Sequence, residues 1–207
     1  MSAPEPRIFT EKTATYHLCR EASRLYLVLR HRRRVEGREH VPARGGALLV
    51  ANHQSFLDIP LIASATRRHV AFVARRTLAE TPWLAFVMRE CGAVLIDRGA
   101  ADRAAMREMV RHLEAGDLVS IFPEGTRSLD GGLGEFKGGA LLAARRAGVP
   151  IVPTAIRGAH RVWPRGRSRP GPGRLALRFL PPVDPAAEDA IGLVRRGIEA
   201  ALGDGEA

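Results

Sequence analysis

Lysine is almost missing from this chain. Only Lys12 and Lys137 occur, so 30 of its 32 basic residues are arginine. Cysteine is equally scarce: Cys19 and Cys91 stand far apart, with no Cys-x-x-Cys pair. That excludes a disulfide framework and a four-ligand zinc site, and it fits a reducing compartment. Aromatic residues make up 5% of the chain, few for a nucleic-acid module that stacks bases. No apolar run approaches the ~20 residues needed to span a bilayer, and the opening MSAPEPRIFTEK has no apolar stretch of the kind found in a leader. A chain without a transmembrane helix, cytosolic or peripheral to a membrane, is expected. No Gly-x-Ser-x-Gly elbow occurs, which disfavours a serine hydrolase of that architecture. The histidines outside His53 show no metal-ligand spacing such as His-x-x-x-His, and no metal is expected.

What is present suits one folded domain. The chain has 207 residues, 45% of them apolar, enough to bury a core and to exclude disorder throughout. Its net charge of +10 calls for an acidic partner: nucleic acid, an anionic membrane or a phosphorylated substrate.

Residues 11–31 place Leu18, Cys19, Ala22, Leu25, Tyr26 and Leu29 three and four apart, with Arg20, Ser23, Arg24 and Arg30 between them. That spacing predicts an amphipathic helix, closed by the cationic run His31–Arg34. Two placements fit it: on an anionic membrane, or packed on the domain with a solvated basic end. Residues 1–36 are accordingly set apart as an N-terminal, membrane-interfacial segment, and 37–207 as the main domain. Beyond Gly37, short apolar runs alternate with helical segments. Strands are predicted at 47–51, 70–74, 93–96, 118–122, 151–156 and 175–179, and helices at 59–66, 82–90, 100–115, 138–147 and 187–202. This alternation predicts an α/β domain, a mostly parallel sheet flanked by helices. Gly148-Val149-Pro150 marks a helix stop before a buried strand, and the segment from Arg165 to Arg174 reads as a mobile loop.

The segment Asn52-His53-Gln54-Ser55-Phe56-Leu57-Asp58 follows the strand at 47–51 directly. Ligands of α/β sheets gather at the carboxyl ends of strands, where this places His53. Imidazole suits base catalysis near neutral pH, and a carboxylate can fix its tautomer. Five residues apart on one helix, His53 and Asp58 would diverge by ~140°, so pairing them requires a turn before the helix. Pro60 agrees, since proline is tolerated in a first helical turn. A structural alternative also fits: Asp58 as a helix cap, or Ser55-x-x-Asp58 as a capping box. The glycine-rich stretch 131–140 precedes a helix, but no Gly-Lys-Ser/Thr follows, which rejects a nucleoside-triphosphate loop.

His53-x4-Asp58 is followed in order by Gly92-Ala93-Val94-Leu95-Ile96-Asp97-Arg98, Phe122-Pro123-Glu124-Gly125-Thr126-Arg127-Ser128 and Val149-Pro150-Ile151-Val152-Pro153. Together these resemble the four ordered motifs of the glycerolipid acyltransferases of the 1-acylglycerol-3-phosphate acyltransferase type. Phe72–Leu78, with Pro82 behind it, is similar to that family's basic segment between the first two motifs. Trp163-Pro164 and Phe179–Pro185 are similar to its C-terminal part. The resemblance runs over roughly residues 35–200.

That resemblance implies a glycerol-3-phosphate acyltransferase-like fold and an enzyme without a cofactor, using acyl-CoA or acyl carrier protein as co-substrate. His53 would take the proton of a glycerol hydroxyl, which attacks the thioester directly, and Asp58 would hold the imidazole. Arg75 and Arg127, with Arg98 third, would bind the acceptor's phosphate. Glu124, Gly125 and Thr126 fall in the acceptor-binding motif, with Glu124 orienting Arg127 or the glycerol. Lys137 stands where the family shows Lys-x-Gly, here Lys137-Gly138-Gly139. Oxyanion donors are sought among backbone N–H groups near a helix start or the Glu124-Gly125 turn. The implied partners are a lysophospholipid acceptor and a membrane lipid surface on its cytoplasmic face, with no nucleic acid. Alternatives are another lysolipid acceptor, such as a lyso-ornithine lipid or a glycolipid, and a basic membrane- or nucleic-acid-binding module without catalysis.

Overall fold

The structure is a computed structural model that describes residues 13–75, 80, 85–86, 88–89, 92–96 and 102–203. Seven strands form its sheet: β1 (Arg34–Glu36), β2 (Ala47–Ala51), β3 (Val70–Arg75), β4 (Val94–Ile96), β5 (Leu118–Ile121), β6 (Ile151–Arg157) and β7 (Ala176–Phe179). Their order across the sheet is β1-β7-β6-β2-β5-β3-β4, all pairs parallel except β6 with β7. The helices with described bounds are α1 (Ala14–His31), α2 (Asp58–Ala65), α3 (Asp102–Glu114), α4 (Gly139–Ala147), the single turn α5 (Ala159–Val162) and α6 (Ala190–Gly203). The expected α/β architecture is therefore present, with the mostly parallel sheet flanked by helices. The helix predicted at 82–90 lies largely outside the described residues.

β2 shows why the sheet is buried on both sides. All five of its residues are apolar and buried, and its alternating side chains enter two different cores. Leu48 and Val50 pack with Met109 and Leu113 of α3, Ala143 and Ala144 of α4, and Val194 and Ile198 of α6. Ala47, Leu49 and Ala51 pack on the other face with Leu27 of α1, Leu61 and Ile62 of α2, and Val162 of α5. Each fully buried leucine contributes about 1.5–3 kcal/mol. The predicted stop of α4 is present, with the Gly148 N–H bonded to carbonyls of Ala144 and Arg145.

The N-terminal helix divides its two faces. Thr13 caps it by accepting from the Tyr16 N–H at 3.0 Å. The buried Tyr16 hydroxyl in turn accepts from the Val70 N–H at 3.2 Å, and Leu27 is fully buried under α2. Leu18, Ala22, Leu25 and Leu29 form a stripe on the outer side, where Leu18 and Leu29 are each 73% exposed. Beyond α1 the backbone continues into the sheet, since the Arg34 N–H reaches the Leu175 carbonyl and β1 runs parallel to β7. The basic finish predicted for the helix is thus partly an edge strand. Among the described residues no helix is long and apolar enough to cross a membrane.

Candidate active site

The register of the central strands creates the site. β2 lies between β5 and β6, with Val50 opposite Ile121 and Ala51 opposite Thr154. The chains leaving these three strands therefore emerge side by side: Asn52–Leu57 from β2, Phe122–Ser128 from β5 and Gly158–Trp163 from β6. Asn52 extends the β2–β6 ladder by one step with its side chain. Its amide donates to the Ile156 carbonyl at 3.0 Å and its oxygen accepts from the Ile156 N–H at 2.7 Å.

A turn at Phe56–Leu57 then lets α2 begin at Asp58, with Pro60 in its first turn. That geometry folds Asp58 back under His53, and His53 Nδ1 lies 2.8 Å from Asp58 Oδ2. The same oxygen accepts the Gln54 and Ser55 N–H groups at 2.7 and 2.8 Å. Asp58 does not cap α2, whose N-cap Leu57 has no side-chain cap bond; its single carboxylate oxygen closes the preceding turn and holds the ring. The fully buried Asp58 carboxyl is pushed up by desolvation, and its three N–H donors oppose that shift. Ser55 is fully buried, its hydroxyl donating to the Trp163 carbonyl at 2.8 Å, a structural post and not a nucleophile.

The other ring nitrogen of His53 is left for chemistry. Among the described residues none hydrogen-bonds Nε2, and the imidazole stacks on Phe122 at 3.9 Å between centroids with 15° between planes. Its backbone is gripped on both sides. Glu124 Oε1 accepts the His53 N–H at 2.7 Å, and the Ser128 N–H donates to the His53 carbonyl at 2.8 Å. Glu124 Oε2 accepts from the Gly134 N–H at 2.9 Å. Both oxygens of Glu124 are thereby engaged by backbone amides, so this side chain clasps the loops around His53, a different task from orienting Arg127 or the glycerol. Burial raises the Glu124 carboxyl, and the two N–H donors pull it back down.

The remaining expected residues fall around this clasp. Gly125 turns the chain at φ 67°, a left-handed backbone that suits glycine, and its N–H closes onto the Phe122 carbonyl at 3.0 Å. That amide is consequently occupied by the turn and not directed at an oxyanion. Lys137 packs against this turn, its Nζ 3.3 Å from where a Cβ on Gly125 would stand. Thr126 is exposed. Arg127 lays its guanidinium on the Phe56 ring, 3.7 Å from the centroid. The site thus joins His53, Asp58, Glu124, Gly125, Thr126, Arg127 and Lys137. Arg98 and the side chain of Arg75 lie outside the described residues. No role in the site was expected for Phe56, Phe122 or Trp163, although Phe56 sits inside the His53–Asp58 segment, Phe122 heads the Glu124 motif and Trp163-Pro164 resembles the family's C-terminal part.

The Acyltransferase family model matches residues 32–157. The chain belongs to the acyltransferase family. It is 31% identical to the crystal structure of the 1-acyl-sn-glycerophosphate (LPA) acyltransferase PlsC from Thermotoga maritima, with a TM-score of 0.78, covering 93% of this chain and 81% of that one. It is 35% identical over 135 residues to the chloroplastic 1-acyl-sn-glycerol-3-phosphate acyltransferase LPAT1 of Arabidopsis thaliana, covering 64% of this chain and 38% of that protein. With the 1-acyl-sn-glycerol-3-phosphate acyltransferase of Salmonella typhimurium it shares 33% identity over 143 residues, 68% of this chain and 58% of that protein. The chain thus spans about half the length of the curated relatives it matches, and residues 32–157, matched by the family model, contain His53, Asp58, Glu124, Gly125, Thr126, Arg127 and Lys137.

Proposed function

We propose that the protein transfers an acyl group from a thioester, acyl-CoA or acyl carrier protein, to the free hydroxyl of 1-acylglycerol-3-phosphate, forming phosphatidic acid. The observation that carries this is the orientation of His53: Nδ1 held by buried Asp58, Nε2 unclaimed, at the carboxyl end of the central strand in an acyltransferase domain. Nε2 takes the acceptor's hydroxyl proton as the oxygen attacks the thioester carbon. The tetrahedral intermediate then collapses, the C–S bond breaks, and the imidazolium returns its proton to the departing thiolate. Asp58 stays a carboxylate and stabilises the imidazolium between these steps. The products are the diacyl lipid and a free thiol, and no acyl-enzyme forms. Two substrates held in register supply much of the remaining acceleration.

The relatives' names support a phosphorylated acceptor, as does Arg127, which lies on the Phe56 ring next to Ser128, the residue that holds the His53 carbonyl. The outer stripe of α1 supports work at a lipid surface. Leu25, Tyr26 and Leu29 line a shallow apolar hollow of about 410 Å³ with Ala22 and Arg30, a pairing of apolar and cationic side chains that suits an anionic membrane. The test is an acyl-transfer assay with radiolabelled thioester donors of both kinds and a panel of lysolipids presented in vesicles. Transfer to 1-acylglycerol-3-phosphate that disappears in His53→Ala is expected. Transfer to a phosphate-free lysolipid alone would overturn the acceptor assignment.

A further inference from the structure

The segment from Arg165 to Arg174 was expected to be a mobile loop, yet its first residues are hydrogen-bonded to the stretch before it, which the catalytic loop holds. Ser55 donates to the Trp163 carbonyl at 2.8 Å, and Trp163 Nε1 donates to the Arg167 carbonyl at 2.7 Å. The Arg167 N–H reaches the Pro164 carbonyl at 3.3 Å, and Gly166, with φ 90°, supplies the left-handed residue of that turn. Arg165 therefore stands at the tip of a four-residue turn anchored to the residue two places from His53. Phe56 packs on Trp163 at 5.6 Å between centroids and carries the Arg127 guanidinium on its ring. The aromatic pair thus links two arginine-bearing loops, one from β5 and one from β6.

We propose that Arg165 is a second binding residue for the acceptor's phosphate, forming with Arg127 a two-pronged clamp whose spacing is set by Phe56 and Trp163. The inference rests on the phosphorylated acceptor assigned above. Three observations lead to it. The charge of Arg165 acts on Arg127, which holds its proton less tightly first through burial and then through that charge, with the Asp58 carboxylate opposing the shift. Among the described residues neither forms an ion pair with a carboxylate. Two like charges without a directly paired carboxylate repel one another, and a phosphomonoester with two negative charges and three acceptor oxygens relieves that repulsion while matching two forks. Stacking on Phe56 leaves the edge of the Arg127 guanidinium, where its N–H groups point, free to meet those oxygens.

The experiment measures KM and kcat for 1-acylglycerol-3-phosphate in the full chain, its Arg165→Gln variant and its Arg165→Lys variant. Arg165 is exposed, so melting temperatures should match. The clamp requires KM to rise about tenfold in Arg165→Gln, the effect of one charge-assisted bond, with kcat nearly unchanged. Arg165→Lys should recover part of the loss, because it keeps the charge and loses the fork. A full chain that acylates this acceptor with the same KM in all three forms overturns the clamp and leaves the acceptor assignment standing. A full chain that transfers only to phosphate-free lysolipids overturns both.

Discussion

The chain contains two histidines that meet an aspartate five residues on, and they sit at opposite ends of the sheet. His53 Nδ1 is 2.8 Å from Asp58 at the carboxyl end of β2, and His112 Nδ1 is 2.7 Å from Asp117 at the amino end of β5. By distance alone the pairs are equivalent. Their surroundings differ. The His53 side chain is 17% exposed with Nε2 unclaimed among the described residues, whereas His112 and Asp117 are each 6% exposed and Nε2 faces Glu108 at 3.5 Å. The Asp117 N–H returns to the His112 carbonyl, and Arg68 donates to the adjoining Gly116 carbonyl. The second pair thus stitches α3 to β5. The open far nitrogen beside converging strand ends suits His53 to the proposed base chemistry, whereas at His112 the same contact is a fastening.

Breaking the two pairs should separate activity from stability. The largest effect is expected for His53→Ala, with transfer lowered about 10²–10⁴-fold and the melting temperature nearly unchanged. Asp58→Asn should approach the same loss, up to about 10⁴-fold, because an amide favours the tautomer that puts a proton on Nε2. It should also destabilise, since Gln54, Ser55 and His53 all donate to the oxygen it weakens. His112→Ala should do the reverse. Leaving Asp117 buried with an unmet acceptor costs about 1–3 kcal/mol, read as a lower denaturant midpoint, with kcat close to that of the parent.

Glu124→Gln sharpens the contrast from a third side. Its carboxylate accepts two backbone N–H groups on separate oxygens, and an amide can accept on only one of them. A loss of about 1–3 kcal/mol is expected together with a lower kcat, since the clasp fixes His53 itself. A variant that changed KM for the acceptor alone would instead make Glu124 a substrate ligand. The smallest effect concerns His31, a buried histidine with no aspartate, whose rings nitrogens face the Gly173 carbonyl and the Tyr26 hydroxyl. Burial lowers its pKa below the usual 6.5. Below that value the unfolded chain takes a proton that the folded chain resists, so stability falls as pH drops from 6.5 toward the lowered value. Thermal melts between pH 7 and 5 should slope less in His31→Gln than in the parent.

Much of the fold was legible because β2, β5 and β6 are buried on both faces and read as short apolar runs between helices. β1 was not, because Arg34-Val35-Glu36 carries charge at two of three positions and pairs only at the sheet's edge. His53 and Asp58 were legible from their spacing after a strand, while His112-x4-Asp117 shows the same spacing and passed without notice. Spacing reports reach; the end of the sheet on which a pair falls comes from topology. The double grip of Glu124 was also hidden, since a carboxylate beside arginines reads as an ion-pair partner, and its real donors are backbone amides that no sequence pattern marks. The segment Arg165–Arg174 read as mobile from its glycine, proline and arginine content, and the Trp163 and Ser55 contacts that anchor its start arise only once β6 lies beside β2.

The most direct measurement compares acyl transfer to 1-acylglycerol-3-phosphate by His53→Ala and His112→Ala at matched folded concentration, with both melts recorded. The account predicts transfer at least about a hundredfold lower in the first with its stability kept, and near-parental transfer in the second with its stability reduced. A folded His53→Ala protein that turns over like the parent would contradict it.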